Sequence, residues 1–311
     1  MTSLPKRRAP SGDVDGAPFP VLNAVPVEAS ETRPWRDRVL RTSHADISLR
    51  ETTGTKLPIL LLHGGGLCKD VFAGQLESGL GAQHRMIAID WPGHGASSDA
   101  FKPDRTYRIE GLADLAIEVL ERLGIDGAVV VGASLGGRVG LEMIQMYPDL
   151  IGLALTGTPL GSSVSASSVD LPEFALAGED ERTDERIDAF LRHSLGHVDR
   201  VAFAAAARRA DFRAMDLILR DIRSNELPWP TPASVVSTPI LAVNGEKGPV
   251  TNTAREAGGQ RAQTRFSIPQ GGPAPFLEAP AVFNHLLERF MQRMVRREKQ
   301  LLASPPLWYG G

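Results

Sequence analysis

Unbroken apolar runs alternate along this chain with stretches whose apolar residues recur every three or four positions. A run such as 57–62, Leu-Pro-Ile-Leu-Leu-Leu, has no polar alternation, so as a strand it must be covered on both faces. Runs at 86–89, 128–131, 151–155 and 239–243 repeat the pattern, and 265–268 is expected to be the last strand. Between them, Phe72, Leu76 and Leu80 stand four apart and mark one helix face. Leu112, Leu115, Val119 and Leu123 line a helix that Gly124 stops. Leu135, Val139, Met143 and Tyr147 share the face of another, ended by Pro148. Residues 281–296 form a closing helix. Strand–helix alternation of this kind predicts the α/β class, a mostly parallel central sheet with helices on both faces.

Four segments follow from composition and period. Residues 1–34 are rich in proline and small polar residues and read as a flexible N-terminal segment. The α/β core is expected at 35–164 and 237–297. Residues 165–236 break the alternation, are helical and carry many charges; they read as a cap over the C-terminal edge of the sheet, where open sheets of this class bind ligands. Residues 298–311 read as a tail that includes Trp308 and Tyr309.

Charge and cysteine content narrow the partners. The formal net charge of the 311 residues is -3, so no basic face for nucleic acid is expected. Cys68 is the only cysteine, which excludes an intramolecular disulfide and a multi-cysteine metal site. No stretch reaches the roughly 18 consecutive apolar residues of a membrane span, and no apolar run follows Lys6, Arg7 and Arg8 as a secretory signal requires. The expectation is a cytoplasmic protein with a small-molecule substrate or ligand, no membrane or nucleic-acid partner, no cofactor and no metal.

The segment Gly132-Ala133-Ser134-Leu135-Gly136-Gly137 sits directly after one predicted strand and before one predicted helix. A G-x-S-x-G turn there needs small flanking residues and lifts the serine Oγ clear of the sheet, above a helix N-terminus that favours negative charge. His63-Gly64-Gly65-Gly66 follows the first buried strand. Backbone N–H groups of Gly64 and Gly65, with that of Leu135, are candidate donors to a substrate oxygen, an oxyanion hole.

The order His63-Gly64, then Asp90-Trp91-Pro92-Gly93-His94-Gly95, then Gly132 to Gly137 resembles the α/β-hydrolase fold family, from about Arg38 to about Phe290. The resemblance implies Ser134 as nucleophile, an acidic residue after a late strand and a histidine after the last strand. In such a triad the histidine takes the serine proton and the acid holds the histidine in its working tautomer. The sequence departs from that pattern twice. Gly248 stands where the family usually has aspartate, and Pro273 stands in the histidine's place, with both flanks still matching. Removing the histidine of a working triad costs on the order of a million-fold in turnover, so an ordinary serine esterase mechanism is not expected.

Three residues are candidate substitutes. Glu246 lies two residues before Gly248, and His193 and His197 stand four apart on a predicted cap helix, sharing a face. Asp70, Asp99, Asp170 and Glu278 are further carboxylates that spacing does not single out, His285 on the closing helix is expected to lie too far from the site, the resemblance implies a structural role for the His94 loop, and Cys68 is expected to be a buried, inert thiol. Three readings stay open. One is an enzyme of hydrolase ancestry that acts on a small ester, thioester or carbonyl compound through oxyanion stabilisation. Another is a non-catalytic ligand-binding or partner protein. The third is a serine hydrolase whose base comes from the cap.

Overall fold

The computed structural model describes residues 34–158, 183–224, 238–248 and 263–303. Among them, eight strands form one sheet in the order β1-β2-β4-β3-β5-β6-β7-β8. The strands are β1 (Trp35–Arg41), β2 (Asp46–Thr52), β3 (Lys56–Leu62), β4 (His84–Ile89), β5 (Ala128–Ala133), β6 (Leu150–Thr156), β7 (Ile240–Gly245) and β8 (Gln263–Ile268). β1 pairs antiparallel with β2, and β2 antiparallel with β4; every later pair is parallel. The expected α/β class is therefore the observed one.

The helices are α1 (Ala73–Leu76), α2 (Gly79–Gln83), α3 (Pro103–Thr106), α4 (Ile109–Arg122), α5 (Leu135–Met146), α6 (Asp184–Leu195), α7 (Val201–Arg209), α8 (Phe212–Ser224), α9 (Pro275–Glu278) and α10 (Pro280–Ala303). Two hydrophobic cores flank the sheet. Leu60, Leu62, Val130, Leu112, Leu115 and Val139 belong to one; Ile59, Leu61, Val129, Val131, Phe276 and Phe283 belong to the other. Successive residues of β3 and β5 thus point to opposite cores, which is why those runs lack polar alternation.

Three expectations needed correction. Phe72, Leu76 and Leu80 are all buried, but on separate short pieces: a 3-10 turn at Lys69–Phe72, α1 and α2. Ser78 breaks the helix by taking the N-cap of α2, its Oγ accepting from Leu80 N at 3.2 Å. The closing helix runs through Ala303, into the expected tail. Strands β1 and β2 carry no apolar run, so the pattern passed over them. The segments 1–33 and 304–311, with Trp308 and Tyr309, lie outside the described residues, as do 165–182 and 225–236 of the expected cap and 159–164, 237 and 249–262 of the expected core.

Candidate active site

Six neighbouring strands, β3 to β8, deliver their C-terminal loops to one edge of the sheet. Between β5 and α5 the chain turns so tightly that a Cβ on Gly132 would stand 2.5 Å from Gly137 Cα, and one on Gly136 would stand 2.8 Å from Leu62 Cβ. Only glycine fits such approaches. Ser134 occupies the tip at φ 50°, ψ -110°, a conformation that a residue with a side chain rarely adopts. Its neighbours Ala133 and Leu135 are buried while Ser134 itself is exposed. Ser134 N donates to Thr156 O at 2.9 Å, and Thr158 Oγ1 donates to Ser134 O at 3.0 Å. Thr158 is a contributor that no motif announced. No hydrogen bond joins Ser134 Oγ to an imidazole or a carboxylate among the described residues.

The loop after β3 lies alongside. A Cβ on Gly64 would stand 3.5 Å from Ser134 Cβ. His63 is wholly buried, donating from Nδ1 to Gly64 O at 2.7 Å and accepting at Nε2 from Trp91 N at 3.1 Å. Both roles require the neutral ring, and burial holds its pKa down to about 3. Trp91 Nε1 returns a bond to His63 O at 2.9 Å. Asp90 completes the staple, accepting from Lys69 N (2.7 Å), Lys69 Nζ (2.7 Å) and Ala96 N (2.8 Å). Burial alone would raise the Asp90 pKa; the Lys69 ammonium and these donors hold it below the usual carboxylate range. The glycines that carry the candidate N–H donors are thereby fixed to the loop after β4.

The loops after β7 and β8 meet backbone to backbone. Lys247 N donates to Gly271 O at 2.8 Å, and Glu246 N to Ile268 O at 3.2 Å. A Cβ on Gly248 would stand 3.1 Å from Gly272 O and 3.3 Å from Pro273 Cα. A Cβ on Gly157 would stand 3.7 Å from Pro273 O and 3.8 Å from Ser134 N. Gly248, Pro273 and Ser134, far apart in sequence, are thus brought into one neighbourhood. Asn244 Oδ1 accepts from Gly157 N at 2.8 Å and ties the end of β7 to the same place.

The candidate substitutes make no hydrogen bond to Ser134 among those of the described residues. Glu246 is exposed and accepts from Gln270 N at 3.3 Å. His193 is half-buried on α6, whereas His197 is exposed and off the helix, because Gly196 ends α6 at φ 71°. The two histidines therefore do not share a helix face as expected. Among the described residues no group of three His, Cys, Asp or Glu side chains could hold a metal ion. His285 is exposed on α10, and Asp70 pairs with Arg50 at 2.8 Å. Asp99 is exposed, His94 is buried with its ring 5.5 Å from that of His63, and Asp170 lies outside the described residues. Cys68 is buried, and burial pushes its thiol up to about 12, so it is not a thiolate at neutral pH. Glu278, by contrast, has a defined place: its Oε2 accepts from Gly272 N at 2.7 Å and its Oε1 lies against Gly196 of the cap.

The cap closes over this edge from two sides. Asp211 N donates to Gly93 O at 2.8 Å, and Asp221 Oδ2 accepts from Ile109 N at 2.9 Å, capping a buried amide at the start of α4 that has no partner within the helix. Phe190 of α6 and Met215 of α8 are buried against the glycine loop. Sequence reasoning passed over both, since only the apolar period of their helices marked them.

This serine-tipped turn at the edge of a parallel sheet matches a family model. The model of the alpha/beta hydrolase family covers residues 59–286. The chain belongs to the alpha/beta hydrolase family. Among solved alpha/beta hydrolases, a complex of the N-acyl homoserine lactonase AidH with N-butanoyl homoserine is 36% identical, with a TM-score of 0.74 over 83% of this chain and 97% of that one. The putative carbamate hydrolase RutD of Variovorax paradoxus is 27% identical over 260 residues, 76% of this chain and 92% of that protein. Esterase Rv0045c of Mycobacterium tuberculosis is 32% identical over 114 residues, and that match spans only 37% of its length. No described helix is long and apolar enough to cross a membrane.

Proposed function

We propose that this alpha/beta hydrolase recognises a small ester, thioester or lactone carbonyl and polarises it, without a full serine–histidine–acid triad. The N–H groups of Gly65 and Leu135 serve as oxyanion donors, and Ser134 acts as a hydrogen-bond donor and weak nucleophile. The observation that carries the reading is the juxtaposition of Gly248 and Pro273 beside Ser134. A glycine and a proline there offer neither a proton acceptor nor an acid to orient one, so the serine hydroxyl stays poorly nucleophilic at neutral pH. Preorganised donors remain worth roughly a thousand- to ten-thousand-fold over water without a triad. Substrates with good leaving groups, or ones that carry their own base, fit this machinery best. The likeness to a lactonase, a carbamate hydrolase and an esterase supports an acyl carbonyl as the recognised group.

Turnover of 4-nitrophenyl butanoate by the parent and by Ser134→Ala tests the proposal. A loss within about tenfold is expected, the value of one hydrogen bond. A loss of a thousand-fold or more would overturn it, because Ser134 would then be an activated nucleophile with a base supplied by another group.

A further inference from the structure

We propose that Arg36 and Arg38 of β1, steered by the buried Glu51 of β2, bind the dianion of a phosphate monoester at the end of the sheet opposite Ser134. Strand register assembles the site. Arg36 pairs directly with Glu51, and Arg38 with Leu49, so both arginines and the glutamate share one face of the sheet. Ile87 of β4 pairs with Glu51 from the other side, and Arg85 lies two residues before Ile87 on that face. β1 and β4 are both antiparallel to β2 and so run in one direction. Arg36, Arg38 and Arg85 therefore stand toward the N-terminal ends of their strands, away from the loops that carry Ser134. Glu51 takes Arg85 at 2.7 Å, Arg38 at 2.8 Å and Arg36 at 3.6 Å. Burial alone would raise its pKa; the Arg85 and Arg38 guanidiniums hold it below the usual carboxylate range, so it is ionised at neutral pH.

Three guanidiniums thus meet one carboxylate, an excess of two positive charges, where one partner is enough to neutralise a buried acid. The neighbouring acids are committed to other cations. Asp37 takes Arg50 at 2.8 Å on the opposite face, and Glu118 takes Arg122 at 2.6 Å. Arg85 is anchored, donating from Nε to Glu51 at 2.8 Å and from Nη1 to Leu123 O at 3.2 Å. Arg38 gives a single N–H bond to Glu51, at 2.8 Å. The Arg38 and Arg36 side chains are 37% and 67% exposed, so their forks are presented to solvent. Same-face neighbours on a strand stand about 7 Å apart, a span that one phosphate bridges. Each planar fork matches two phosphate oxygens. A monoester carries close to two negative charges at neutral pH and so balances the excess. A carboxylate brings one charge and two oxygens, which occupy one fork only.

The test uses the full chain with 15N-labelled arginine and follows the Nε–Hε resonances near neutral pH, at ionic strength held constant with sodium chloride. Arg36→Gln and Arg38→Gln assign two of them. Glycerol 2-phosphate should shift both saturably, and dimethyl phosphate, a monoanion, should bind about tenfold more weakly, the value of one charge-assisted hydrogen bond. Affinity for glycerol 2-phosphate should fall about fivefold in Arg36→Gln, and further in Arg36→Glu. Arg122→Gln, a surface arginine elsewhere, should leave it unchanged. Should Arg38→Gln fail to fold, the two exposed Arg36 variants decide the matter. Shifts that do not saturate, equal binding of the two phosphates, or an unchanged affinity in the Arg36 variants would overturn the proposal. Because Ser134 lies at the other end of the sheet, none of these outcomes depends on ester turnover.

Discussion

Ser134 holds a backbone conformation that costs on the order of 1–3 kcal/mol, and the glycine contacts around it hold it there. The sequence made that position legible, because the glycine spacing has few structural solutions between a strand and a helix. It also showed Gly248 and Pro273, since their flanks matched the family while they did not. It could not show that His63 is a strut. That role depends on Trp91 and Gly64 meeting the two ring nitrogens, a tertiary fact without local signal. The strut has a measurable consequence. The unfolded chain binds a proton at His63 below about pH 6.5, and the folded chain refuses it until about 3. Stability from this group is therefore full above pH 6.5 and is lost as the pH falls from there toward 3. Urea unfolding at pH 7 and pH 5 should differ by about 2 kcal/mol from this residue alone. His63→Gln should flatten that difference; an unchanged pH dependence in the variant would refute the role.

At the level of elements, the buried strands and long helices were legible because each satisfies one period. Strands β1 and β2 were not. Glu51 lies inside β2 with 2% side-chain exposure and takes Arg38 (2.8 Å) and Arg85 (2.7 Å), so a charge stands where the pattern calls for an apolar residue. The shared face expected for His193 and His197 failed at Gly196. That residue ends α6 at φ 71° and lies against Glu278 and Pro273, which leaves no room for a side chain. Gly196→Ala should cost about 2 kcal/mol through strain and contact. It should also speed amide exchange across 184–195 relative to α5; equal protection of α6 in the variant would contradict this seating. Gly248→Asp alone should cost about 1 kcal/mol in urea unfolding, since its Cβ would press on Gly272 O at 3.1 Å and on Pro273 Cα at 3.3 Å. No loss would mean that the loops after β7 and β8 are looser than these contacts imply.

For the molecule as a whole, the sheet delivers six loops to one edge, and buried polar staples tie neighbouring loops together. The pair Asp90–Lys69 is the most buried ion pair among the described residues, with side-chain exposures of 0% and 7%. Asp90→Asn would strand a buried ammonium and should cost about 3–5 kcal/mol in chemical denaturation. A loss below about 1 kcal/mol would show that the loops after β3 and β4 hold without it. The cap is tied to the same edge through Gly93 and Ile109. Fold and scaffold of the site were thus readable from the chain, while the seating of Phe190 and Met215 of the cap against the glycine loop is a matter of packing without local signal. The central claim is that a hydrolase site stands here without its proton acceptor, and the double variant Gly248→Asp with Pro273→His addresses it directly. Its kcat/KM for 4-nitrophenyl butanoate should exceed the parent's by at least about a hundredfold, and Ser134→Ala in that background should abolish the gain. A folded double variant that is no faster than the parent would contradict the account.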